Sequence, residues 1–187
     1  MYLRLEAVGE LHDPARRKHY RDLAAELNAL ETVDYERVTH AKAEYVREIY
    51  AQDGAKTIAS ADFKAFVKRN AGWLPDYAAF CVLRDRCGTA DFSQWGKYAK
   101  YSKEAVKKLT KEAADEINIV YFTQYHLDKQ LKTVRDYAHG KGVAIKGDIP
   151  IGISRTSVDA WTDARLFNMD CQAGAPPDDF SVLGQNW

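Results

Sequence analysis

Net charge is the first thing missing from this 187-residue sequence: 27 basic side chains balance 27 acidic ones. Without a basic excess, the usual electrostatic argument for a nucleic-acid or anionic-membrane partner falls away. Long apolar runs are missing too. The longest, Tyr77 to Leu83, is far short of the roughly 20 residues that span a bilayer. The opening MYLRLEAVGE carries an acid early and lacks the basic-then-apolar pattern of a secretory leader. Cysteine is scarce, and Cys81, Cys87 and Cys171 suit neither a disulfide framework nor a zinc site. Cys81 and Cys87 lie six apart on a predicted helix and so on different faces. Reduced thiols in a cytoplasm are the simplest reading. No Gly-rich phosphate loop, Ser-His-Asp order or HExxH occurs. We therefore expect no metal and no cofactor.

What is present is an ordinary globular composition, 46% apolar and 29% charged. That is enough for a sizeable core in about one domain's length. It excludes disordered, collagenous and small disulfide-rich classes. The first two-thirds reads as helices set off by capping signals. Asp13-Pro14 opens one whose stripe runs Tyr20, Leu23, Ala24, Leu27 and Leu30. Asp34 opens a second, through Val38, Tyr45 and Ile49, that stops at Gly54. Ser60 caps a third carrying Phe63, Phe66 and Val67, and Pro75 opens a fourth that runs towards Gly88. Ser102 starts a fifth with Val106, Leu109, Ala113 and Ile117 on its buried face. A further helix spans about Val120 to His139.

The pattern changes at Gly142. Val143-Ala144-Ile145 is a short β-branched run that leads into Lys146-Gly147-Asp148-Ile149-Pro150-Ile151. Helix, glycine turn, buried strand and loop are the marks of one unit of a parallel sheet. A parallel strand needs neighbours to pair its backbone, yet the only other candidate is a weak one at Tyr2 to Val8. From Ser154 the chain reads as loop with one helical piece near Val158 to Asn168. One strand and a closing tryptophan lead us to expect a piece of a longer α/β protein.

Among chemistry-bearing residues, Asp148 stands out, just past a strand end where α/β barrels place their chemistry. Capping a loop or pairing with Lys146 explains it equally well. Asp178-Asp179 follows two prolines and precedes Phe180. Adjacent carboxylates on an extended segment point to opposite sides, so a solvated turn is the simpler account. A proline-stiffened loop could still present Phe180 and Trp187 to a flat or apolar ligand. His126 near Asp128 could bond a substrate hydroxyl, although a lone helical histidine is more often surface or satisfied core. Trp95, Tyr98 and Tyr101 could stack on a sugar, but aromatics at this spacing usually pack helices together.

More specific is a set of motifs in order along nearly the whole chain. Trp73-Leu74-Pro75-Asp76-Tyr77-Ala78, Leu83-Arg84-Asp85 and Asp91-Phe92-Ser93-Gln94-Trp95 come first. Gln124-Tyr125-His126-Leu127-Asp128-Lys129-Gln130-Leu131 and Lys146-Gly147-Asp148-Ile149-Pro150-Ile151 follow. Ser157-Val158-Asp159-Ala160-Trp161 precedes Leu166-Phe167. Last come Gly174-Ala175-Pro176-Pro177-Asp178-Asp179-Phe180-Ser181 and Gly184-Gln185-Asn186-Trp187. In these motifs the chain resembles the 4-α-glucanotransferases, the amylomaltases or disproportionating enzymes.

That resemblance implies an α/β fold: a partial (β/α)8 barrel of the α-amylase type with a mainly helical insertion subdomain. Residues 1–116 would be the insertion, and residues 117–187 a barrel portion with helix, strand and active-site loop. It implies transfer of 1,4-α-glucan segments between maltodextrins through a covalent glycosyl-enzyme. Asp148 would lie beside the sugar subsite where cleavage occurs. Asp178, Phe180, Gln185 and Trp187 would sit on a loop folding over the glucan, Phe180 and Trp187 offering apolar faces and Asp178 and Gln185 serving hydroxyls. A covering loop favours transfer over hydrolysis by limiting water. Position 179 is aspartate where many members carry tyrosine. The family's nucleophile, acid/base glutamate and third carboxylate all lie downstream of the Gly-Gln-x-Trp loop, so no catalytic residue is assigned within 1–187. The implied partner is a maltodextrin or other 1,4-α-glucan, in a cytoplasmic enzyme with no nucleic acid or membrane involved. The alternative is a non-catalytic helical module that binds a glucan or a protein.

Overall fold

The capping residues act where the sequence places them. In the computed structural model, which describes residues 2–148, 150, 152–171 and 173–186, Asp13 accepts the Ala15 N–H at 2.8 Å. Pro14 then begins helix α1 (Pro14–Asn28). Asp34 accepts the Arg37 N–H at 3.0 Å to start α2 (Tyr35–Ala59). Ser60 does the same for α3 (Ala61–Arg69) through the Phe63 N–H. Helix α4 (Leu74–Cys87) has Pro75 in its first turn, where no N–H is needed. Ser102 caps α5 (Lys103–Glu112), and α6 (Ala114–Gly140) is the longest helix described. Ser157 caps the short α7 (Val158–Thr162).

Two compact units result. One joins Met1–Leu74 to Asp115–Ile145, the other joins Pro75–Ala114 to Lys146–Trp187. These bounds differ from the functional division at 116/117, which concerns role and returns below as a proposal. In the first unit the Tyr20 and Tyr45 rings meet edge to face at 5.0 Å and join α1 to α2. Arg16 and Tyr20 both bond the Glu48 carboxylate, Arg16 Nε at 3.0 Å and the Tyr20 hydroxyl at 2.8 Å. Phe63 and Phe66 of α3 lie 5.4 and 5.7 Å from the Tyr125 ring of α6. Tyr50 meets Phe122 at 5.5 Å, and Ile49, Ile117 and Phe122 are almost wholly buried. Burial of each such side chain stabilises by roughly 1.5–3 kcal/mol.

The second unit is centred on aromatic rings. Trp95 packs on Phe80 at 5.0 Å and on Trp161 at 5.6 Å, and Tyr101 meets Trp161 at 5.1 Å. The indole N–H of Trp161 donates to the Tyr98 carbonyl at 2.9 Å, and that of Trp95 to the Thr89 carbonyl at 2.9 Å. Trp95 and Tyr101 therefore pack, as aromatics at this spacing usually do, while Tyr98 contributes its backbone carbonyl.

Four expectations need correction. Helix α2 runs through Gly54 to Ala59 instead of stopping there. The glycine makes room, since a Cβ at position 54 would fall 2.5 Å from the Tyr50 ring. The stripe from Val106 to Ile117 spans two helices, because the backbone leaves the helical region at Ala113 (φ −116°, ψ 38°). The chain passes there from one compact unit to the other. Val143–Ile145 belongs to no sheet among the described residues, and Val143 and Ile145 are 56% and 49% exposed. A strand needs a neighbour's donors and acceptors, and none is described beside it. Tyr2 to Val8 forms a 3-10 turn at Leu5–Ala7 in place of a strand. The Gln130 side chain takes the strand partner's role there, accepting from Arg4 N at 2.8 Å and donating to Arg4 O at 2.9 Å.

The sheet found among the described residues is small. Strands β1 (Gly174–Ala175) and β2 (Gln185–Asn186) pair antiparallel, Gly174 opposite Asn186 and Ala175 opposite Gln185. No described helix is long and apolar enough to cross a membrane.

Candidate functional site

The β1–β2 hairpin carries most of the residues singled out in the sequence. Pro176 and Pro177 fix φ on its outgoing arm. Asp178 then closes the tip on itself. Its Oδ1 accepts the Phe180 N–H at 2.9 Å and the Ser181 N–H at 2.7 Å, while its own N–H donates to the Ser181 carbonyl at 3.1 Å. The Ser181 hydroxyl donates to the Gly184 carbonyl at 2.7 Å, and the Gly184 N–H donates back to the Ser181 carbonyl at 3.0 Å. Gly184 is required for the return arm: its φ is +73°, and a Cβ there would sit 2.6 Å from the Ala175 carbonyl oxygen.

This framework is polar and its tip is apolar. Phe180 is 97% exposed, with Val182 and Leu183 nearly as open. Three large apolar groups held in water by a hydrogen-bonded turn form a presented surface. An aromatic face of this kind can lie against the apolar side of a flat ligand.

The structure brings Asp178, Phe180 and Gln185 together in one hairpin, with Gln185 on β2 opposite Ala175. Asp148 is exposed on the segment after Ile145 and is not part of the hairpin. The fifth expected residue, Trp187, lies outside the described residues. Val182 and Leu183 were missed by sequence reasoning, which looked for aromatics and charges. A signal was available, because Pro-Pro-Asp followed by Ser three positions on is a turn pattern that must expose what it encloses.

The other candidates resolve into structure. His126 is buried, its ring 4.4 Å from Phe122 and 5.3 Å from Tyr125. Its Nε2 has no hydrogen-bond partner among the described residues. Burial, with Lys129 nearby, pushes its pKa down to about 4, so the imidazole is neutral at neutral pH. Asp128 is engaged by Arg69 at 3.0 Å and Lys132 at 2.7 Å. Cys81 is buried and its thiol pKa is raised by that burial, whereas Cys87 and Cys171 are exposed. Among the described residues no three His, Cys, Asp or Glu side chains cluster as a metal site would need.

A groove in the first unit is lined by Tyr2, Phe66, Trp73, Leu127, Leu131 and Val134. Its walls are mainly apolar. Gln130 and Asp128, on its rim, already bond Arg4, Arg69 and Lys132. Such a groove suits an apolar neighbour better than a sugar, whose hydroxyls need uncommitted partners.

Comparison with known proteins shows the family. The family described as 4-alpha-glucanotransferase matches residues 1–187. The chain belongs to the 4-alpha-glucanotransferase family. The 4-alpha-glucanotransferase DPE2 of Oryza sativa subsp. japonica is 40% identical over 100% of this chain, which covers 20% of that protein. The 4-alpha-glucanotransferase of Chlamydia muridarum is 34% identical over 86% of the chain and 31% of its own length. Among solved structures, an amylomaltase from Streptococcus agalactiae in complex with acarbose matches with a TM-score of 0.77. That match covers 99% of this chain and 38% of the amylomaltase at 24% identity, and it is a likeness of fold. The chain thus spans a fifth of the rice protein and about a third of the Chlamydia one.

Proposed function

We propose that these residues are part of a cytoplasmic enzyme that transfers 1,4-α-glucan segments between maltodextrins by a retaining double displacement. The observation that carries this reading is the 40% identity, end to end, with a rice 4-alpha-glucanotransferase. A carboxylate would form the covalent glycosyl-enzyme and an acceptor sugar hydroxyl would release it. The acarbose bound by the related amylomaltase fits an oligosaccharide ligand. Free thiols, two of them exposed, fit a reducing compartment.

In this reading residues 1–116 serve as a mainly helical insertion and residues 117–187 as part of an α-amylase-type barrel. Two surfaces support that assignment. The extended Val143–Ile145 run is exposed and outside any described sheet, and the outward face of α6 shows Leu131, Val134 and Tyr137. A neighbouring barrel strand would pair the first, and packing within a larger domain would cover the second. Asp148 would stand near the bond that is cleaved. The hairpin with Asp178, Phe180 and Gln185 would close over the glucan, exclude water and leave the intermediate to a sugar acceptor, and Trp187 is proposed to offer a further apolar face.

The resemblance puts the family's three catalytic carboxylates downstream of the Gly-Gln-x-Trp loop, so residues 1–187 alone are expected to carry out no transfer. The test is glucose release from maltotriose, measured on residues 1–187 and on a chain extended past residue 187 in the same reading frame. Release by the extended chain alone is the expected outcome. Release by the short chain would overturn the placement of the catalytic carboxylates. Release by neither would overturn the glucanotransferase reading in favour of a binding module.

A further inference from the structure

We propose that Asp178 is a positioning residue, which fixes the hairpin tip so that Phe180 faces outward to meet a glucan ring and does not itself bind sugar hydroxyls. The inference rests on the reading of the hairpin as a glucan cover, and deepens it.

Three observations carry it. Asp178 Oδ1 already accepts two N–H groups at 2.9 and 2.7 Å, from Phe180 and Ser181. The backbone of the same residue closes the same turn through the Ser181 carbonyl at 3.1 Å. Oδ1 and the main-chain N–H of residue 178 thus both bond within the turn, to Phe180 and Ser181. Phe180, in turn, is almost wholly exposed, and no ring contact with it is described. Its direction is set by its backbone, and the described restraint on its N–H is the Asp178 carboxylate. Bonds that close within the turn are kept when a ligand displaces the water around it. Asp178 would therefore support closure through the turn it holds.

The chemistry needed is an acceptor oxygen, not a charge. An asparagine supplies the oxygen and an alanine does not. In the extended chain, Asp178→Ala and Phe180→Ala should each raise KM for maltotriose about tenfold, the scale of one lost ring contact. The double variant should lose little more than either alone, since both remove the same ring contact. Asp178→Asn should recover most of the loss. On the 187-residue chain itself, amide hydrogen exchange at Phe180 and Ser181 should be slow in wild type and Asp178→Asn, and fast in Asp178→Ala.

Multiplying effects in the double variant would overturn the proposal, because they would mean two independent contacts. So would an Asp178→Asn variant as impaired as Asp178→Ala, or amides equally protected in all three chains. If the extended wild type disproportionates no maltotriose, the glucan reading fails, and the exchange measurement still decides whether Asp178 holds the tip.

Discussion

Phe122 and Phe180 are the same side chain at opposite extremes. Phe122 is 1% exposed, between the rings of Tyr50 and His126 on a helix that satisfies its own backbone. Phe180 is 97% exposed, on a hairpin whose order comes from a few hydrogen bonds at its tip. The first contributes to stability through the apolar surface it buries; the second contributes almost nothing to folding and remains available to a ligand. A residue type alone carries neither role. The neighbours supplied by the fold decide which one it has.

The largest test of that contrast is Phe122→Ala. It should cost about 3–5 kcal/mol, as large-to-small changes in packed cores do, and is read from the denaturation midpoint followed by circular dichroism. A loss below about 1 kcal/mol would mean that the helical core is loosely packed.

A change of pH probes the same core through His126. Its folded pKa is pushed down to about 4 from the ordinary 6.5. Between those values the unfolded chain binds a proton that the folded chain refuses, so stability falls as pH drops from 6.5 towards 4. The slope is at most about 1.4 kcal/mol per pH unit for one such group, and the term is fully present above 6.5. In His126→Phe the dependence attributable to this group should vanish. A wild-type-minus-variant difference that stays flat across that window would place His126 in water.

Phe180→Ala should give the smallest change in stability, within about 0.5 kcal/mol of wild type, as exposed substitutions usually do. A larger loss would show that the tip is packed against something and would erase the contrast with Phe122.

Much of the helical fold was legible because helix signals are local. Asp13, Asp34, Ser60, Ser102 and Ser157 each accept an N–H two or three residues ahead. Such a bond depends only on nearby sequence. Gly54 shows where local reading stops. A glycine is a helix end in most contexts, but here it clears space for the Tyr50 ring that packs on Phe122. The candidate site is legible in part. The motifs point to Asp178, Phe180 and Gln185, but not to the hairpin that unites them. Its strands are two residues each, too short for any alternation to register.

By itself, then, the amino-acid sequence determined the helix starts, the buried aromatic positions and, through uncommon motifs in order, the family. All of these depend on residues close in the chain or on side-chain type. Tertiary structure decided that Gly54 lies inside a helix and that the run from Val106 to Ile117 is shared between two units. It also left Val143–Ile145 extended without a ladder, whatever its β-branched sequence favours. The physical reason is common to these three: helical hydrogen bonds close within the segment that makes them, whereas a strand or a packed glycine depends on partners elsewhere in space.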